Sequence, residues 1–133
     1  MKRWMLAALL LHSATVALAQ SAQATATGSA TANAAAFRCG GVGEDEQRQM
    51  KAEAARHDLM VTFSTVSGAY MADVDIEILS AGKPVLAGRC SGPLMLVDLS
   101  PKGSYEFRAT ANGRTQRKLV SVGGKPSSIS FTW

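Results

Sequence analysis

The chain changes its hydrophobic period near residue 58. From Leu59 onward apolar and polar positions alternate with period two: Leu59, Val61 and Phe63, then Val74, Ile76 and Ile78 interleaved with Asp75 and Glu77. That spacing places one apolar face on each segment and predicts half-buried strands. Pro84 to Arg89, Leu94 to Leu99, Ser104 to Ala111, Thr115 to Val122 and Ser128 to Trp133 continue the series, the last with Ile129, Phe131 and Trp133 directed inward. Turn residues separate them at Ala81-Gly82, Ser91-Gly92-Pro93, Pro101-Lys102-Gly103, Asn112-Gly113 and Gly123-Gly124. Asn112-Gly113 is the most specific, because a two-residue hairpin of the favoured twist needs positive φ at both positions. Before residue 58 the pattern is helical. Glu44 to Arg56 is filled with helix formers, acids in its first turn and bases in its last, which suits the helix dipole. Its apolar stripe is thin, Met50 with Ala54 and its neighbours, so the helix is expected to lie on the outside of the domain.

Seven short strands at intervals of roughly 10 residues, with no helix between them, predict a mainly β fold. The expected architecture is a seven-stranded antiparallel sandwich preceded by one short helix, with an up-and-down barrel as the alternative.

The ends and the totals add an address. Lys2-Arg3, an uncharged run from Trp4 to Leu11 and the small residues of Ala17-Leu18-Ala19 follow the order of a secretory signal peptide, with cleavage expected after Ala19. The apolar run is interrupted by His12 and Ser13, short of the roughly 20 residues of a membrane span. Residues 20–36 are Ala, Thr, Ser, Gln and Asn with one Gly, and read as a disordered leader because nothing there buries enough surface to offset ordering. Residues 37–133 then form one domain in an exported, periplasmic protein. Losing Lys2 and Arg3 leaves 12 basic against 10 acidic residues, a net charge of +2 in place of +4. A charge this small argues against a nucleic-acid partner or a charged membrane surface.

Cys39 and Cys90, the two cysteines of the chain, both survive cleavage, and an oxidising compartment favours their pairing. Such a bond would close a loop of about 50 residues, worth on the order of 4 kcal/mol of chain entropy. It would staple the glycine-rich segment and the helix onto the sandwich.

Two stretches resemble known families. Val74 to Ile78, Pro84-Val85-Leu86 and the run from Met95 to Ala109, with Leu99, the Pro101-Lys102-Gly103 turn and Tyr105 two residues after the glycine, resemble the carboxypeptidase regulatory-like domains. The resemblance covers Asp73 to Trp133 and implies a transthyretin-like (prealbumin-like) sandwich, with Lys102 as an insertion in the turn. The opening Gly40 to Glu46 and the segment Ser67 to Val74 make the whole domain similar to small exported proteobacterial proteins of unknown function that carry this module. Neither likeness implies an activity.

Candidate chemistry is sparse. His12 leaves with the signal, so His57 is the imidazole of the mature chain; it sits at a helix C-terminus, where a cation is favoured. No nucleophile elbow accompanies it or its neighbour Asp58. Glu44, Asp45 and Glu46 scatter around a helix turn, whereas Asp73, Asp75 and Glu77 share a strand face that reads as solvated. Met50, Met60, Met71 and Met95 are dispersed as core fillers are. No cofactor motif is present: Gly40-Gly41-Val42-Gly43 follows no predicted strand and leads into acids that would repel a phosphate. What remains is binding. The possible surfaces are the loop at Tyr70 and Met71 and the basic strand with Arg114, Arg117 and Lys118, which is equally suited to protect a sheet edge. The expected role is a non-catalytic binding or assembly module that contacts another envelope protein or a small ligand. The alternatives are a small envelope enzyme working through carboxylates and a purely structural or stress-protective domain.

Overall fold

A computed structural model describes residues 34–133. The signal peptide, its cleavage point and residues 20–33 of the expected leader lie outside the described residues. The order along the chain is β1 (Ala34–Gly40), α1 (Glu44–Glu53) ending in a 3₁₀ turn (Ala54–Arg56), β2 (Leu59–Ser64), β3 (Val74–Ser80), β4 (Lys83–Cys90), β5 (Leu94–Ser100), β6 (Gly103–Ala111), β7 (Arg114–Val122) and β8 (Ser127–Thr132). Two four-stranded sheets result, one ordered β1-β5-β2-β8 and the other β4-β3-β6-β7.

Two expectations need correction. There are eight strands where the sequence predicts seven, because β1 pairs antiparallel with β5 along its whole length, from Ala34 opposite Ser100 to Gly40 opposite Leu94. Ala34, Ala35 and Ala36, assigned by composition to the leader, are the first half of that strand. Its stability comes from backbone pairing to a strand edge and from Ala35 and Cys39 packing against the core, neither of which leaves an apolar alternation to read. Nor is the pairing wholly antiparallel: β8 runs parallel to β2, with Leu59 opposite Ser127 and Ser64 opposite Thr132.

The remaining strands follow the alternation. Leu59, Val61 and Phe63 of β2, Val74, Ile76 and Ile78 of β3, Met95, Val97 and Leu99 of β5, Tyr105 and Phe107 of β6, and Phe131 of β8 fill the space between the sheets. Phe107, Phe131, Phe63 and Trp133 form an aromatic chain through it, with successive ring centroids 5.5, 6.1 and 6.3 Å apart. Such contacts add about 0.5 to 1.5 kcal/mol each beyond area burial. Ile129 is half-buried against the same core. Asn112 and Gly113 adopt φ of 50° and 73°, the doubly positive turn that joins β6 to β7. The peptide bond between Ser100 and Pro101 is cis.

Helix α1 lies outside the sandwich. Met50 is its one buried residue, and it packs with Leu94 and Leu96 on the outer face of β5, beside Ala54 and Met60. Cys39 of β1 and Cys90 of β4 are disulfide-bonded, with Cα atoms 5.4 Å apart. Both strands are sheet edges. The bond therefore joins the two sheets along one side.

Connections emerge at both ends of the sandwich. One end carries the β1–α1, β2–β3, β4–β5 and β6–β7 connections and Trp133; the other carries His57-Asp58 and the β3–β4, β5–β6 and β7–β8 connections. No helix among the described residues is long and apolar enough to cross a membrane.

Candidate binding surfaces

At the first of these ends the β2–β3 connection is held by its own hydrogen bonds. Thr65 N donates to Ala69 O at 2.7 Å, Gly68 N to Thr65 O at 2.9 Å, and Ala69 N to the Thr65 hydroxyl at 3.2 Å. Gly68 has φ of 91°, a left-handed position that a side chain would strain. Tyr70 forms an isolated bridge with Ser64, and Met71 N donates to Phe63 O at 3.0 Å. The loop is thereby fixed onto β2. Tyr70 stands 46% exposed, whereas Met71 is half-buried against the core, so the pair divides between surface and closure. Val42 and Val66, 77% and 83% exposed, belong to the same loop end. Gly41, Val42, Gln47, Tyr70, Met71, Ala72 and Pro93 line a cavity of about 210 Å³ there. Gln47 Nε2 donates to Gly41 O at 2.9 Å and fixes its rim. Lys51 Nζ lies 3.4 Å from the Tyr70 hydroxyl.

The basic strand is β7, an outer strand of its sheet. Its residues alternate between two faces, so the three cations do not share one surface. Arg117 points to the outer face and lies 3.8 Å from Glu106. Arg114 and Lys118 fall on the face of buried Val120 and Val122, toward the other sheet. Lys118 Nζ stands 5.4 Å from the centre of the Phe131 ring, and Arg114 O accepts from Trp133 Nε1 at 3.1 Å. Tyr70 and Arg114 lie at the same end of the sandwich, and Lys118 is halfway along β7.

The outer face of that sheet bears paired charges. Arg89 Nε is 2.9 Å from Asp75 Oδ1, and Arg108 reaches Glu106 at 3.1 Å and Glu77 at 3.6 Å. The Arg89 guanidinium holds the Asp75 carboxyl below its usual range. Asp75 and Glu77 do share the solvated face expected of them, but Asp73 precedes the strand in a left-handed conformation, φ 56°. Of the methionines, Met50 and Met60 pack under the helix, while Met95 and Met71 belong to the core between the sheets.

A second polar cluster sits at the opposite end. His57 follows the 3₁₀ turn, and its Nδ1 is 2.7 Å from Asp98 Oδ2 on β5. The neighbouring Asp58 turns elsewhere: its carboxylate accepts from Leu99 N at 2.9 Å and from Lys102 Nζ at 2.5 Å, while its own N–H donates to Asp98 at 3.1 Å. Burial raises the Asp58 pKa, but the bonds from Lys102 and Leu99 and the charges of Lys102 and His57 outweigh it and hold the carboxyl below its usual value. The contacts tie the start of β2 to the β5–β6 connection. Sequence reasoning places His57 at a helix end and gives no hint of Asp98 as its partner. The alternation that makes Asp98 a solvent-side residue of β5 was the available signal.

Among the described residues no group of three or more His, Cys, Asp or Glu side chains converges as metal ligands would. No protein-family model matches the chain, and no curated protein is significantly similar to it in sequence.

Proposed function

We propose that the chain is an exported, non-catalytic binding or assembly module of the cell envelope, with a carboxypeptidase regulatory-like, transthyretin-like sandwich as its scaffold. It engages another envelope protein or a small ligand through the loop end built around Tyr70. The observation that carries this reading is the hydrogen-bonded β2–β3 loop, which exposes Val66 and Tyr70, with Tyr70 lining a cavity together with Val42 while Met71 anchors the loop to the core. Aromatic side chains held by a rigid scaffold are the usual anchors of recognition surfaces. The family assignment has local support in the segment that carries the resemblance. The Tyr105 hydroxyl donates to Pro101 O, so the Pro-X-Gly turn and the tyrosine form one unit.

The charges favour binding over acid–base work. Asp58 and Asp75, the carboxylates with displaced pKa values, are both held low by basic partners, whereas a general acid near neutral pH is held high.

The test is photo-crosslinking in the native envelope from a reactive residue at position 70, with position 119 as the control; Leu119 is also a large exposed hydrophobic side chain, at 83%, but lies on another face. A specific adduct from position 70 that Val66→Ser weakens supports the reading. A purified domain that turns over a substrate, and stops when a single carboxylate is removed, would refute it.

A further inference from the structure

The hydrogen bonds of β8 leave one of its edges open. Ser127 N donates to Asp58 O at 3.0 Å and Trp133 N to Ser64 O at 3.1 Å, while Trp133 O accepts from Val66 N at 2.8 Å. In a parallel pair the residues that bond the neighbour alternate. Ser127, Ile129, Phe131 and Trp133 therefore face β2, and Ser128, Ser130 and Thr132 turn their N–H and C=O groups outward. Among the described residues, the outward set makes one bond across the sandwich, from Gln116 Nε2 to Thr132 O.

The other outer strands carry the usual protections against pairing. β4 has Lys83, Pro84 and Arg89 and faces a register shift between Ile78 and Leu79. β7 has Arg114, Arg117 and Lys118, and β1 has Arg38 and is tied to β4 by the disulfide. β8, Ser-Ser-Ile-Ser-Phe-Thr, has neither a charge nor a proline.

A strand added to β8 would lie beside β7 of the opposite sheet, and β7 decides what kind of strand fits. Lys118 already reaches the Phe131 ring, and Arg114 lies on the same face of β7. Among the described residues neither has a carboxylate within ion-pair distance, unlike Arg117. A second copy paired through β8 about a two-fold axis would bring its own Arg114 and Lys118 alongside these, like charge against like. We propose that the outer edge of β8 accepts an extended acidic polypeptide segment as an added strand, its alternate carboxylates meeting Lys118 and Arg114. This surface runs along β8, reaches the Tyr70 end at Arg114, does not include Tyr70, and does not rest on the proposed role of that loop.

The test uses two capped heptapeptides, one alternating glutamate with valine and one alternating lysine with valine, added to the isotope-labelled protein. The glutamate peptide is expected to shift and protect the amides of Ser128, Ser130 and Thr132 while leaving those of Ile129 and Phe131 little changed. It should bind about tenfold more tightly than the lysine peptide at low salt, with the difference shrinking as salt rises. Charge reversal by R114E and K118E together should invert the preference. Ser130→Pro removes an outward N–H without breaking the ladder to β2, and should abolish binding. If that variant does not fold, a glutamate peptide N-methylated along its pairing edge should fail on the wild type instead. Tyr70→Ala should bind the peptide unchanged, which separates this surface from the loop end. Equal binding of both peptides, shifts confined to other strands, no change at about 1 mM peptide, or concentration-dependent protection of the same amides without peptide would each overturn the proposal.

Discussion

Gly92 packs so closely against Gly40 that a Cβ on Gly92 would lie 2.3 Å from the Gly40 carbonyl oxygen and 2.5 Å from its carbonyl carbon. The neighbouring atoms are backbone and cannot rotate away. The contact joins the end of β1 to the β4–β5 connection, two residues beyond Cys90. Gly92→Ala is expected to destabilise the domain by about 2 to 3 kcal/mol, as other overpacked sites do. Gly124→Ala, in open space, should change stability by less than about 0.5 kcal/mol. Urea unfolding of both variants checks the contrast.

The disulfide makes its own demand on stability. Cys39 and Cys90 are 51 residues apart in sequence, so opening the bond should cost about 4 kcal/mol by the chain-entropy account. Replacing both cysteines by alanine, and comparing urea midpoints with the oxidised protein, measures it. Thiol labelling of the unfolded, unreduced protein should find no free thiol.

Asp58 sets an acid limb. Its carboxyl titrates below its usual range when folded and near 3.9 when unfolded, so the unfolded chain binds the proton more readily. The stabilisation is fully present above about pH 5, and is lost as pH falls through the folded value. Lys102→Met should flatten this acid limb, and Asp58→Ala should remove it together with about 2 kcal/mol at neutral pH, because Leu99 N loses its acceptor. Thermal midpoints measured from pH 7 down to pH 2 give the answer.

Tyr70 and Met71 are expected to separate in stability measurements before any partner is known. Tyr70 is half-exposed at the surface, and Tyr70→Ala should cost less than about 1 kcal/mol. Met71 packs on the core, and Met71→Ala should cost about 2 kcal/mol. A Tyr70 variant that loses recognition while keeping its unfolding midpoint then reports on the surface alone.

Strands are legible in a sequence where burial imposes a period, and seven of these were. The alternation of β2, β3 and β6 and the Asn112-Gly113 turn mark them directly. β1 lacked the signal because Ala34, Ala35 and Ala36 have side chains too small to show which side is buried. The parallel partnership of β2 and β8 was equally silent, since Leu59 and Ser127 meet through backbone groups that every residue possesses. At the candidate surfaces, composition found Tyr70, Met71 and the basic strand. The period-two rule, applied to that strand as it was to the apolar ones, separates Arg117 from Arg114 and Lys118. His57 with Asp98 is a contact across 41 positions that no local pattern encodes.

The sandwich is bound like a book along one margin. Cys39 and Cys90 form a covalent spine between β1 and β4, while the fore-edge at β7 and β8 is held by side-chain contacts: Gln116 to Thr132, Trp133 to Arg114, and Lys118 over Phe131. Any fluctuation that parts the sheets without full unfolding must hinge on the spine and widen toward the fore-edge. Amide exchange should therefore rank the strands by distance from the cystine, with β8 and β7 released before β3 and β5, and reduction should erase that ranking.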